Sequence, residues 1–228
     1  MNILITGSSR GIGLEFARRF AERGDRVFAT TRTGELPNGL AAIAVKLDVA
    51  VPESITAALT TVAAKTHTLD LLINNAGLYS GSNGLASERL GELTIADAHQ
   101  VLVVNAVGPI LIAQAFRDLL LRSRRPKLVS ITSGYGSLER NAGGGTLYHY
   151  RASKAALNQY MRTFALDPTN RGITTIVMNP GWVRTDMGGP SATLSVEESV
   201  KSMIQVIDGL TPERSGQWLD YAGRPHPW

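Results

Sequence analysis

Two side chains in this sequence are spaced for acid–base chemistry. Tyr150 and Lys154 stand four apart in Tyr150-Arg151-Ala152-Ser153-Lys154, so on a helix they share a face and can reach one ligand. A free phenol has a pKa of about 10 and exchanges protons poorly near neutrality. A nearby ammonium stabilises the phenolate and lowers that value, which would let Tyr150 give a proton to a carbonyl oxygen and take one back from an alcohol. Tyr148 is a decoy, because the residue four ahead of it is Ala152. Alone, the pair also fits a plain i,i+4 contact on a helix surface, so other features must decide.

A second feature is the run Thr6-Gly7-Ser8-Ser9-Arg10-Gly11-Ile12-Gly13 after a short apolar segment. Its G-x-x-x-G-x-G spacing differs from the commoner G-x-G-x-x-G fingerprint, but the physics is shared. Glycines allow a tight turn and the close approach of a phosphate, and the next helix offers unpaired N–H groups and partial positive charge at its N-terminus. Gly7, Ser9, Arg10, Gly11 and Ile12 are the candidate contacts. A turn that merely joins strand to helix is the plainer meaning. Its position at the first strand–helix crossover, where doubly wound sheets bind dinucleotides, favours binding. The sequence has no G-x-x-x-x-G-K-[ST], which argues against a nucleotide-hydrolysing P-loop. The second strand ends Ala29-Thr30-Thr31-Arg32, without the carboxylate that would hold a ribose 2′-hydroxyl. Arg32 and Arg10 offer charge-assisted hydrogen bonds to a 2′-phosphate instead, so the expected cofactor is NADP(H).

The elements that must position these residues are legible as alternating patterns. Short apolar runs at Asn2–Thr6, Arg26–Thr31, Ala42–Leu47, Leu69–Asn74, Lys127–Thr132, Thr174–Asn179 and Gln217–Asp220 read as strands covered on both faces. Helical patterns occupy Gly11–Arg23, Pro52–Lys65, Thr94–Leu121, Leu147–Leu166 and Val196–Asp208. Gly34, Pro37 and Gly39 argue against a helix between Arg32 and Ala41. Repeated strand–helix–strand units predict a parallel sheet with right-handed crossovers and helices on both faces. The expected fold is a Rossmann-type, doubly wound α/β/α sandwich of about seven strands. With no linker or repeat, residues 1–228 read as one domain.

Asn74-Asn75-Ala76-Gly77 closes the fourth strand. With the glycine loop before it and the Tyr150–Lys154 pair after it, each on a suitable element, the chain resembles a single-domain short-chain dehydrogenase/reductase over essentially its whole length. The resemblance implies hydride transfer between a nicotinamide and a carbonyl or alcohol, with Tyr150 and Lys154 at the nicotinamide ribose. It implies that Ser133, ending Ile131-Thr132-Ser133-Gly134, hydrogen-bonds the reacting oxygen; Ser130 and Thr132 are rivals better suited to burial or strand capping. The stretch from Ser133 to Tyr150 is longer than is common in the family, and the excess lies in Asn141-Ala142-Gly143-Gly144-Gly145, which reads as a flexible insertion beside the pocket. Asn75, Ala76 and Gly77 are implied cofactor contacts.

Asn105 is the implied fourth catalytic member. Pro109 has no N–H, so it cannot bond the Asn105 carbonyl four residues back. That acceptor could hold the water of the family's proton relay from Lys154, or the proline could simply kink a packed helix. Asp48-Val49 resembles the adenine contact, though Asp48 could instead cap the helix starting near Pro52. Pro180, Gly181, Val183 and Thr185 resemble the segment that holds the nicotinamide carboxamide. A plain strand-ending turn is the alternative there.

The short link after Thr185, the segment Tyr135-Gly136-Ser137-Leu138 and the chain's last residues are similar to those of Sniffer-type carbonyl reductases and C-factor-like proteins. That similarity implies an open pocket walled by Tyr79, Tyr135, Leu138, Trp182 and Met187 and a hydrophobic aldehyde, ketone or quinone as substrate. These side chains could equally be core or rim. It also keeps open a dinucleotide-binding signalling protein whose turnover is incidental. The family resemblance further implies a homodimer through the Thr94–Leu121 and Leu147–Leu166 helices, with Gln114, Arg117, Gln159 and Arg162 as polar components or as solvent-facing residues.

Composition narrows the remaining classes. A net charge of +4 comes from scattered residues, densest at Arg122-Ser123-Arg124-Arg125, where cations complement a helix C-terminus. No nucleic-acid partner is expected. The absence of cysteine excludes thiolate metal sites and cysteine nucleophiles and suits a reducing cytosol. His67, His99, His149 and His226 lack metal-ligand spacing, so no metal is expected. The apolar stretch Val101–Phe116 reads as too short and too interrupted, by Asn105, Gly108, Pro109 and Gln114, to span a bilayer. A cytoplasmic protein without a membrane partner is expected.

Overall fold

The structure, a computed structural model, describes residues 1–79, 89–141 and 145–228. Seven short strands pair in one parallel sheet: β1 (Asn2–Ile5), β2 (Arg26–Thr31), β3 (Ile43–Lys46), β4 (Leu71–Asn74), β5 (Lys127–Ile131), β6 (Thr174–Asn179) and β7 (Trp218–Asp220). Their spatial order is β3-β2-β1-β4-β5-β6-β7. The direction of travel reverses at β1, with Ile3 opposite Val27 of β2 on one side and Leu71 of β4 on the other. That reversal creates the crevice at the carboxyl ends of β1 and β4 where doubly wound sheets take ligands.

The near-continuous apolar runs follow from two cores, one on each face. Successive strand residues point to opposite faces. Leu4, Phe28, Leu72, Leu128 and Val177 join one core, and Ile3, Ile5, Ile73, Val129 and Met178 join the other. The second core is covered by α1 (Gly11–Glu22) and α6 (Val196–Asp208), which touch each other. α1 places Gly13, Phe16, Ala17 and Phe20 on its buried side, the helical i, i+3, i+4, i+7 stripe. α6 starts on a capping box in which Ser195 and Glu198 satisfy each other's backbone N–H. The first core is covered by α2 (Pro52–Ala63), by the composite helix below and by α5 (Tyr148–Leu166). Helices on both faces of one parallel sheet make this a Rossmann-like α/β fold.

The helix expected over Thr94–Leu121 differs in one respect. It is built of α3 (Ile95–Leu102), a π turn (Val103–Val107) and α4 (Gly108–Leu121). The Thr94 hydroxyl caps it by accepting the Asp97 N–H. In the π turn the Gly108 N–H bonds the Val103 carbonyl, five residues back. Pro109, with no N–H of its own, follows at once, and the widened turn carries the helix past it without a break.

The apolar stretch Val101–Phe116, read as too short and too interrupted to span a bilayer, lies inside this longer helix. Ile95–Leu121 runs continuously for 27 residues with a mean hydropathy of 1.5 in its most apolar window, enough by length and composition alone. Here its apolar side, including Ala106, Ile112, Ala113 and Phe116, packs into the first core.

Three residues weighed for a dimer face have partners within the chain, Gln159 donating to the Thr163 hydroxyl at 3.2 Å. Arg117 bonds Asn170 and the Thr169 carbonyl. Arg162 bonds the Gly216 carbonyl and lies over the Trp228 ring.

Candidate active site

The residues singled out for chemistry converge at the carboxyl ends of β1, β4, β5 and β6. Ser133 lies just beyond β5 and turns the chain into a single 3-10 turn, Gly134–Gly136, its hydroxyl accepting the Tyr135 N–H at 3.3 Å. Ser130 and Thr132 are buried, and Ser130 accepts a bond from Asn74. Across the crevice α5 starts at Tyr148, immediately after Leu147 in the left-handed region at φ 61°. A branched side chain there is strained. This start turns Tyr150 and Lys154 inward, while Tyr148 stays 39% exposed.

Tyr150 is 6% exposed and lies edge-on to Tyr79, with ring centroids 4.8 Å apart, and to Tyr135, at 6.3 Å. Burial pushes its phenol up to about 12, the two neighbouring phenols add to the rise, and a hydrogen bond from the Ser133 hydroxyl opposes it. Lys154 is 5% exposed and donates to the Ile131 carbonyl at 3.0 Å. Burial lowers its ammonium to about 8. The lowered phenol expected from the Tyr150–Lys154 spacing is therefore not produced by the protein groups alone. The ammonium is 5.8 Å from the Tyr150 ring centroid and is spent on Ile131.

Asn105 is fully buried within the π turn and works through its side chain. Its carboxamide accepts the Leu78 N–H at 2.7 Å, donates to the Leu78 carbonyl at 2.6 Å and donates to the Ser153 hydroxyl at 3.0 Å. Ser153 in turn donates to the Tyr150 carbonyl at 2.8 Å. One amide thus ties the segment after β4 to the helix that carries Tyr150. Gly77 completes this corner: a Cβ there would stand 3.2 Å from the Asn105 Oδ1 and 3.7 Å from the Lys154 Nζ.

The glycine loop follows β1 and borders the crevice between β1 and β4, the groove a dinucleotide would take in such a sheet. Arg10 precedes α1 with extended backbone and no side-chain cap, and no acidic residue occupies the first turn, so the helix end keeps N–H groups and positive potential for an anion. Gly7 and Ser9 lie in the turn ahead of Arg10, and Gly11 and Ile12 open α1. Gly13 must be glycine, since a Cβ would meet the Gly7 carbonyl at 2.2 Å and the Asn75 amide at 2.4 Å. That amide bonds the Thr6 and Gly7 carbonyls at 2.9 and 3.1 Å, and the Thr6 hydroxyl accepts the Asn75 and Ala76 N–H groups. Asn75 thereby anchors the loop, and Ala76 packs beside the core. This tight floor, uncapped helix end and open crevice fit a dinucleotide.

The other expected contacts are placed less uniformly. Arg32 is exposed at the end of β2 and makes no ion pair with any described residue. Asp48 closes the turn ahead of α2 by accepting the Ala50 N–H at 2.9 Å, and the N-cap position falls on Val51, which offers no side-chain cap. The Val49 side chain belongs to the core. Beyond β6, the Pro180 carbonyl accepts from Ser199, and Gly181 and buried Val183 lead to Thr185, whose hydroxyl accepts the Gly188 N–H at 3.1 Å.

Of the substrate candidates, Tyr79 and Tyr135 meet Tyr150 directly, while Trp182 and Met187 lie half-exposed on the loop after β6. Leu138 opens instead onto a pocket of about 330 Å³ with Tyr135, Tyr148 and Arg151, which includes none of Ser133, Tyr150 and Lys154. Of the Asn141–Gly145 run, read as a flexible insertion beside the pocket, residues 142–144 lie outside the described residues.

Thr6, Gly13, Ser153 and Asp186 are functional neighbours that sequence reasoning did not single out. Ser153 carried a signal, since a serine three residues after Tyr150 can reach back to its carbonyl. The Arg10–Asp186 ion pair, at 2.6 Å, carried none, because the two residues lie far apart in the chain.

Known proteins resemble this chain in sequence and fold. Residues 1–193 match the family model for short chain dehydrogenases. The chain is 44% identical to C-signal of Myxococcus xanthus over 163 residues, 72% of this chain and 95% of that one. It is 31% identical to an NADPH-bound carbonyl reductase from chicken fatty liver, covering 100% of this chain and 98% of that one with a TM-score of 0.88. The carbonyl reductase Sniffer of D. melanogaster superposes with a TM-score of 0.87 at 27% identity, covering 100% and 99% of the two chains. The chain belongs to the short-chain dehydrogenase family of oxidoreductases.

Proposed function

We propose that this protein is an NADP(H)-dependent carbonyl reductase whose single domain, residues 1–228, works on a hydrophobic aldehyde, ketone or quinone in the cytosol. The observation that carries the reading is the buried Tyr150 phenol, hydrogen-bonded to Ser133 and sharing a helix face with Lys154. The carbonyl reductase likenesses, one of them NADPH-bound, support the cofactor and the substrate class.

Gly7, Ser9, Gly11 and Ile12 would hold the pyrophosphate against the α1 N-terminus, Arg10 and Arg32 the 2′-phosphate, and Asp48 and Val49 the adenine. Asn75, Ala76 and Gly77 would floor the groove, with Pro180, Gly181, Val183 and Thr185 along the nicotinamide. The bound cofactor supplies the hydride, and in its oxidised form a positive charge.

The Ser133 and Tyr150 hydroxyls are within hydrogen-bond reach of each other, so one substrate oxygen could meet both. As negative charge develops there, Ser133 donates a hydrogen bond and Tyr150 releases its proton. A phenol pushed up to about 12 stays protonated throughout the neutral range and is ready as an acid. Lys154 stabilises the phenolate left behind. Asn105 holds Tyr150 in register through Ser153. Tyr79, Tyr135, Trp182 and Met187 give an aromatic and apolar wall suited to a hydrophobic carbonyl compound.

The test is NADPH consumption across an aldehyde, a ketone and a quinone, with wild type beside Tyr150→Phe. Losing the proton donor should cost roughly 10²- to 10⁴-fold in kcat. Equal, negligible rates for both proteins would sink the enzyme reading. The likeness to C-signal favours a second reading, a dinucleotide-binding signalling protein, and undiminished NADPH binding beside absent turnover would support it.

A further inference from the structure

The two rims of the cofactor groove meet across its mouth. A Cβ on Gly11 would stand 3.4 Å from the Thr185 Cγ2, and beside this contact the Arg10 guanidinium bonds the Asp186 carboxylate at 2.6 Å. The side chains of that pair are 78% and 73% exposed. Neither makes another hydrogen bond or ion pair with a described residue.

The two partners are held unequally. Asp186 stands on a fixed turn, because Thr185 accepts the Gly188 N–H on its hydroxyl at 3.1 Å and the Gly189 N–H on its carbonyl at 2.8 Å, and the Trp182 indole bonds the Gly188 carbonyl at 2.8 Å. Arg10 swings on a long, flexible stem from the mouth of α1.

We propose that Asp186 sets the dinucleotide selectivity of this site by competing with the cofactor's 2′-phosphate for Arg10. The inference rests on the reading above, in which Arg10 is a 2′-phosphate ligand. A dinucleotide bearing that phosphate must draw the guanidinium away from Asp186, whereas one with a free 2′-hydroxyl leaves the pair intact. After the exchange, an unpaired carboxylate stays on the rim near a phosphate dianion, within the range over which charges act at physiological salt. Asp186 therefore lowers the preference for NADPH that Arg10 and Arg32 create. An exposed ion pair of this kind is worth roughly a two- to fivefold change in an equilibrium.

The experiment compares dissociation constants for NADPH and NADH, read from quenching of protein fluorescence, in wild type, Asp186→Asn, Asp186→Glu, Arg10→Met and Arg10→Met/Asp186→Asn. Asp186→Asn should bind NADPH about two- to fivefold more tightly and NADH unchanged, and Asp186→Glu should stay near wild type. In the Arg10→Met background the Asp186→Asn gain should vanish. A gain that persists there, an equal gain for NADH, or unchanged or weaker NADPH binding by Asp186→Asn would each overturn the proposal. Arg10→Met with the wild-type preference for NADPH would show instead that Arg10 is not the phosphate ligand, a failure of the underlying reading that the Asp186 single variants cannot produce.

Discussion

Lys154 is an ammonium held where ammonium is penalised. Burial lowers it to about 8, and its hydrogen bond to the Ile131 carbonyl offsets only part of the lost hydration. In solution a lysine titrates near 10.4, so the folded value is depressed. Between about 8 and 10.4 the unfolded chain binds the extra proton, and stability therefore rises with pH across that window. Below about 8 the penalty is present in full. Lys154→Met should accordingly raise stability at pH 7 by about 1–3 kcal/mol, with the advantage shrinking by pH 10, as urea denaturation at the two pH values would show. No gain at pH 7 would mean that the ammonium is not penalised. The same titration sets activity. Once Lys154 is neutral it no longer supports a Tyr150 phenolate, so reductive kcat/KM should be flat near neutrality and fall as pH rises through about 8. A group that costs stability and gains activity is the usual pattern of a functional site.

At the scale of the element, the π turn decides where Asn105 points. The proline signal was legible in the sequence, since a missing N–H four residues after Asn105 must disturb the ladder. The form of the disturbance was not. A kink, a water-filled gap and a π turn all answer the same missing donor. Packing chose among them, because Gly108 lies so close to the turn after β3 that a Cβ would stand 2.5 Å from the Val49 carbonyl. The sequence points to the Asn105 carbonyl, whereas the contacts in the structure are those of the side chain, on Leu78 and Ser153. Pro109→Ala restores a donor four residues after Asn105 and lets the turn relax toward an α-helix, rotating Asn105 off its partners. We expect kcat to fall by roughly tenfold, as for a small misplacement of a positioning group, while NADPH affinity and unfolding midpoint stay near wild type. Unchanged kcat would show that Asn105 keeps its place without the π turn.

For the whole molecule, strand and helix positions were legible because both cores impose simple periods on the sequence, as Ile3, Leu4 and Ile5 show by entering alternate faces of β1. Contacts between distant loops, such as Thr6 with Asn75 or Arg10 with Asp186, were not, because no period links the turns that follow β1, β4 and β6. Those contacts are the walls of the groove, and a cofactor that bridges them couples the carboxyl ends of separate strands. Binding to the folded chain alone must then stabilise the whole fold by mass action, by about 2.7 kcal/mol at a concentration one hundred times Kd. For a chain of this size each kcal/mol moves the unfolding midpoint by about 2–4 °C, so saturating NADPH should raise Tm by roughly 5–11 °C. NADH at the same concentration has no phosphate to engage Arg10 and Arg32, and its shift should be smaller by several degrees. Arg32→Ala should shrink the NADPH shift and leave the NADH shift as it was. Equal shifts from the two dinucleotides in wild type would remove the charge argument for NADP(H), because both arginines would then stand at the groove without taking part in binding.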